Sequence, residues 1–75
     1  KLAKEIGPNG IRVNAISPGP VNFSATQKNL YHDKIKQIPL RRLCVPEDIA
    51  NLASFLISEQ SSFITGQIIA LNGGR

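Results

Sequence analysis

Few side chains in this 75-residue sequence are of a type that does covalent or acid/base chemistry, and their spacing sets most of them aside. Cys44 is the only cysteine and His32 the only histidine, so neither a disulfide nor a Cys/His metal cluster can be assembled within the chain. His32 has no orienting partner in the sequence and reads as a surface side chain rather than a general base. Glu47 and Asp48 are neighbours, and adjacent helix positions do not face one another, so they read as the acidic start of a helix rather than as a catalytic pair. What remains is a backbone feature. Residues 11–23 read IRVNAISPGPVNF, a strand-like run that meets Pro18-Gly19-Pro20 and must break into a loop where an open parallel sheet places its ligand. On these residues alone an ordinary strand-to-helix turn explains the pattern at least as well.

The elements that would position this loop follow from periodicity. Lys1 to Ile6 reads as the end of a helix, closed by Gly7 in the left-handed conformation and by Pro8. Asn9-Gly10 signals a turn into a strand from Ile11 to Ser17, in which Ile11, Val13 and Ala15 share one face. Arg12 and Asn14 are unusual in a strand and each needs a partner beyond the hydrophobic pattern. Ser24-Ala-Thr-Gln27 fits a capping box and predicts a helix from about Ala25 to Lys36, with sparse apolar positions and hence weak anchoring. It is either a mobile lid or a plain surface helix. Pro46-Glu47-Asp48 opens the strongest helix, although Val45 is a poor N-cap; Ile49, Leu52, Ala53 and Leu56 repeat at helical spacing, widened by Ala50 and Ile57. Gln67 to Leu71 is a short continuous apolar run of the kind a doubly covered parallel strand shows. The sum is a βαβ unit with a right-handed crossover.

Length and charge narrow the class. A chain of this size buries only about 60% of its unfolded surface, so it makes at most one small domain of marginal stability. The chain opens on lysine in what reads as a helix already under way, so a fragment is expected. No window approaches the ~20 apolar residues of a membrane span and no signal-like core precedes the first element, which gives a cytoplasmic expectation and no membrane partner. The net charge of +4 falls entirely between Lys28 and Arg42, where Lys28, Lys34, Lys36, Arg41 and Arg42 stand against Asp33 alone. Such a run is a solvated face, or an attraction for an anionic or carrier-linked substrate. Nucleic acid is disfavoured, because Tyr31 is the only nearby aromatic residue and no nucleic-acid motif accompanies the charge.

Taken together, GPNGIRVNAISPG, PEDIANLASFLIS and ITGQIIALNGG resemble the C-terminal third of a short-chain dehydrogenase/reductase of the carrier-protein reductase type. The resemblance runs essentially end to end. It implies an α/β fold in which residues 1–75 are the C-terminal βαβ portion of a Rossmann-like doubly wound parallel sheet within a single NAD(P)-binding domain. It implies NAD or NADP as cofactor and an alcohol or carbonyl substrate. It also implies a homo-oligomer through the last helix and strand. In that family the residues after the Pro-Gly close over the nicotinamide, which gives Pro18, Gly19, Pro20 and Val21 as cofactor-binding residues, the Val21 backbone holding the carboxamide. Many members carry threonine where this chain has Phe23; Ser24 substitutes or the contact is absent. The family's phosphate loop, catalytic serine and Tyr-x-x-x-Lys pair lie upstream of such a segment. Tyr31 is not that tyrosine, because Ile35 stands four residues beyond it. No catalytic residue is therefore assigned, and the chain alone is expected to be inactive. A catalytically silent structural or oligomerisation module is the alternative.

Overall fold

The computed structural model describes residues 1–22 and 32–75. Phe23, the expected capping box at Ser24 to Gln27, Lys28, Tyr31 and most of the expected first crossover helix lie outside the described residues. Helix α1 spans Leu2–Ile6 and runs on into a 3₁₀ turn at Gly7–Asn9. Strand β1 is Ala15–Pro18, helix α2 His32–Gln37 and helix α3 Pro46–Ile57. A second 3₁₀ turn at Glu59–Ser61 precedes strand β2, Ile68–Leu71. The two strands pair in parallel, with Ala15 opposite Ile68 and Pro18 opposite Leu71. A parallel pair joined by a helical crossover is the α/β arrangement that the sequence implies.

Three local expectations are corrected. Gly7 is right-handed, at φ −53°, and the left-handed position falls at Gly10, φ +79°, whose N–H bonds Gly7 O at 2.8 Å. Pro8 does not stop the helix, because its fixed φ suits the first turn of the 3₁₀ segment. Strand β1 is also shorter than residues 11–17 and slides to end on Pro18. Its partner β2 begins only at Ile68, so residues 12–14 are joined to residues 64–67 largely through side chains. Thr65 Oγ1 accepts from Val13 N–H at 3.0 Å; Asn14 donates to Ile64 O at 3.1 Å and accepts from Gln67 N–H at 3.1 Å. Gly66 N–H then bonds Val13 O at 2.7 Å.

Arg12 finds the other partner that its placement requires. Its guanidinium Nη1 lies 2.8 Å from Leu56 O and 3.0 Å from both Ser61 O and Ser61 Oγ, while Nη2 reaches Ser58 O at 3.3 Å. These carbonyls lie at the end of α3 and in the turn after it, where the helix dipole is negative, so the dipole favours a cation there in addition to the hydrogen bonds. Ser61, 1% exposed, completes the knot by donating its hydroxyl to Leu56 O at 2.8 Å.

The other end of α3 is closed by a carboxylate. Val45 offers no side-chain cap, as its apolar side chain dictates, but Asp48 at the third helical position accepts the Val45 N–H at 2.9 Å. The same carboxylate forms a two-pronged ion pair with Arg42, at 2.7 Å and 3.0 Å. The Arg42 hydrogen bonds, followed by the Val45 N–H, hold the Asp48 carboxyl well below the usual range, at about 2.

The core that the described residues form is thin. Ile69 and Leu71 are half-buried on the side that carries α3, whereas Ile68 is 78% exposed on the opposite face. The described residues cover the sheet on one side. The end of α2, by contrast, is better anchored than its sparse apolar pattern predicts. Ile38 is only 2% exposed, beneath Gly73.

Two outcomes follow for stability. Arg12→Ala should lower the unfolding free energy by about 1.5–3 kcal/mol, because it removes charge-assisted hydrogen bonds that join the segment before β1 to the end of α3, and Arg12→Lys should recover only part of it; chemical denaturation of both variants checks this. Because the folded-state pKa of Asp48 lies below its unfolded value near 3.8, its contribution is full above that value and fades as pH falls toward about 2. Melting curves of wild type and Asp48→Asn should therefore lie apart above about pH 4 and converge by about pH 2. A gap that persists at pH 2 would contradict the ion pair's role.

Candidate functional site

The four residues singled out at the strand end are brought together with two stretches that lie far along the chain. Pro18 is the last residue of β1, opposite Leu71. Gly19 carries the ladder one step on, its N–H bonding Leu71 O at 2.9 Å. Gly19 lies against Asn72: a Cβ at position 19 would make ordinary van der Waals contact, at 3.4 Å, with both its Cα and Cβ. The chain then leaves β2 and engages the segment that leads into α3. Cys44 N–H bonds Pro20 O at 3.1 Å, and Asn22 N–H bonds Cys44 O at 2.7 Å.

These two bonds make a parallel bridge between Val21 and Cys44, and the geometry of such a bridge fixes where Val21 points. Cys44 uses its own N–H and C=O toward the residues on either side of Val21. The N–H and C=O of Val21 itself therefore face the opposite edge, and they have no hydrogen-bond partner among the described residues. An adjacent donor and acceptor are thus held in fixed orientation by a bridge in which they take no part.

The loop also borders a small cavity of about 80 Å³, lined by Gly19, Pro20, Leu43, Cys44, Leu71 and Asn72 together with Arg42, Asp48, Ile38, Leu40 and Gly73; Val21 itself does not line it. Leu43 is buried and Leu71 half-buried, so the lining is mainly apolar. Burial first, and then the nearby Asp48 charge, push the Cys44 thiol above its ordinary value, with Arg42 opposing. The thiol is therefore neutral near pH 7, and its weak donation to Val45 O at 3.5 Å suits a packing residue rather than a nucleophile.

The far wall is set by Asn72-Gly73. Gly73 has φ +65°, and a Cβ there would come within 2.7 Å of Ile38 Cγ2, so glycine is required both by conformation and by contact. Its carbonyl accepts Leu40 N–H at 3.1 Å, which joins the end of α2 to the end of β2. The contribution of residues 42–45 and of Asn72 and Gly73 is absent from the sequence reading. The one available signal is the extended Leu43-Cys44-Val45 ahead of Pro46, too short to mark a strand by itself.

The basic stretch is partly committed to internal contacts. Arg42 is held by Asp48, and Arg41 donates to Lys36 O and, at 3.3 Å, to Ile38 O. Among the described residues no helix is long and apolar enough to cross a membrane.

Comparison with known proteins places this geometry. The family model described as enoyl-(acyl carrier protein) reductase matches residues 1–75. The chain is 47% identical over 79 residues to an uncharacterized oxidoreductase, YmfI, of Bacillus subtilis, covering 97% of this chain and 31% of that protein. It is 46% identical over 76 residues to the 3-oxoacyl-[acyl-carrier-protein] reductase FabG of Chlamydia muridarum, with the same coverage of each. The fold superposes with a TM-score of 0.84 on a 3-oxoacyl-[acyl-carrier protein] reductase from Brucella melitensis solved with bound NAD, at 42% identity, covering 97% of this chain and 27% of that one. The chain thus spans about a third of the length of the curated relatives it matches. With the motif order and the parallel strands in agreement, the chain belongs to the short-chain dehydrogenase/reductase family.

Proposed function

We propose that this segment supplies the nicotinamide-side loop of an NAD(P)-dependent oxidoreductase that interconverts an alcohol and a carbonyl. The observation that carries the reading is the outward-facing N–H and C=O of Val21, held by the bridge to Cys44. A primary carboxamide presents one acceptor and two donors, and the edge of a single extended residue, with one N–H and one C=O on the same side, matches it without bringing a charge near the transferred hydride. A bound nicotinamide dinucleotide supplies the hydride. Pro18, Gly19 and Pro20 set the course of the loop, and Leu43 and Leu71 back it with apolar surface. The residues that hold the phosphates and move the proton lie outside this chain in this reading, so the chain alone is without turnover.

The substrate class is proposed from the relatives: a carbonyl on an acyl chain, presented as a thioester on an acidic carrier or coenzyme. The cationic stretch supports an anionic carrier, although the engagement of Arg42 with Asp48 reduces the charge it presents.

A structural or assembly role is a second reading, favoured by one specific observation. Phe55, Ile57, Phe63 and Ile68 are apolar and exposed, more than a solitary unit of this size leaves open.

Two experiments separate these readings. In the full-length protein carrying the segment, Val21→Pro removes the N–H donor without breaking the described bridge, and should weaken NAD(P)H binding about tenfold or more, read by the quenching of cofactor fluorescence. Unchanged binding would sink the clamp. For the second reading, the 75-residue chain alone should elute as an oligomer with protected amides in β1 and β2; a monomer exchanging at the rate of a random coil would remove it.

A further inference from the structure

We propose that Asp48 is a positioning residue for the nicotinamide end of a bound dinucleotide, acting through Val45 and Cys44 on the backbone of Pro20 to Asn22. The inference rests on the functional reading above and extends it to a side chain that need not touch the cofactor.

The path is continuous. Both oxygens of the Asp48 carboxylate are engaged: Oδ2 takes Arg42 Nη1 at 2.7 Å and Val45 N–H at 2.9 Å, and Oδ1 takes Arg42 Nη2 at 3.0 Å. Arg42 Nη1 also reaches Leu43 O at 3.2 Å. The carboxylate therefore staples residues 42 and 45 to the first turn of α3, one on each side of Cys44. Cys44 is the residue whose N–H and C=O fix Pro20 and Asn22, at 3.1 Å and 2.7 Å. Without the staple, Cys44 would hang on an extended segment free to shift by a fraction of an ångström. The Val21 edge would shift with it, and hydrogen bonds to a bound amide are lost over such distances. Alpha3 can act as a fixed frame because its far end is tied by Arg12.

An Asp at this position is also a good helix starter, and that role alone would touch overall stability without distinguishing one end of the cofactor from the other. The discriminating probe is ADP-ribose, which has the adenine, ribose and diphosphate of the dinucleotide and lacks the nicotinamide ring. Where the 2′-phosphorylated dinucleotide binds, 2′-phospho-ADP-ribose takes its place. In the full-length protein, Asp48→Asn keeps an oxygen for the Val45 N–H but gives up the two-pronged pair with Arg42. It should weaken dinucleotide binding roughly tenfold while leaving ADP-ribose binding unchanged within about twofold, and Asp48→Glu should recover most of the loss. Equal weakening of both ligands, or no weakening of the dinucleotide, overturns the positioning role and leaves the functional reading intact. A wild-type protein that binds the dinucleotide no more tightly than ADP-ribose overturns the nicotinamide clamp, and the positioning role with it.

Discussion

The guanidinium of Arg12 is the contact on which the rest of the arrangement hangs. It enters from the segment before β1 and ties together the end of α3 and the turn that follows, donating to the carbonyls of Leu56, Ser58 and Ser61. The cation sits at the negative end of α3, and Asp48 places a carboxylate at the positive end. One helix is thus fixed by opposite charges at its two ends, each delivered where the dipole favours it. The sheet hangs from one end of that helix and the loop-bearing segment from the other. The loop itself is tied directly to β2, through Gly19 and Leu71.

Much of this was legible in the chain. The apolar spacing of Ile49, Leu52, Ala53 and Leu56 delimits α3 correctly, Pro46 marks its start, and Gln67 to Leu71 yields β2 to within a residue. Arg12 and Asn14 could be seen to need partners. Which partners could not be seen, because the carbonyls they meet lie 44 to 52 residues away and a carbonyl carries no sequence signature. The same blindness explains Cys44: its contribution to the loop is made by main-chain atoms that any residue but proline could offer. Gly7 and Gly10 show a subtler limit. Both suit a left-handed turn, and only the 3₁₀ continuation through Pro8 decides that Gly10 takes it.

The one-sided burial of the sheet also has a physical origin. An apolar run such as Ile68-Ile69-Ala70-Leu71 reports that a strand belongs between two layers, yet the described residues provide a helix on one face alone. The side chains that look toward α3 are half-buried and their neighbours are not. The pattern in the sequence describes the strand's setting in a sheet with both faces covered, of which these residues hold one side.

The reach of Asn14 to Gln67, 53 residues along the chain, carries a consequence for the order in which the loop can take shape during synthesis. Strand β1 and the Pro-Gly-Pro turn leave the ribosome early, but Gly19 bonds Leu71, and the turn faces Asn72 and Gly73. At about 5–20 residues per second, the turn spends several seconds without the neighbours that define it. Throughout that interval the apolar strand has an unpaired edge, and nothing local in these residues can cover it. A nascent chain of this kind therefore has its greatest exposure to mispairing just before its Pro-Gly-Pro loop is complete.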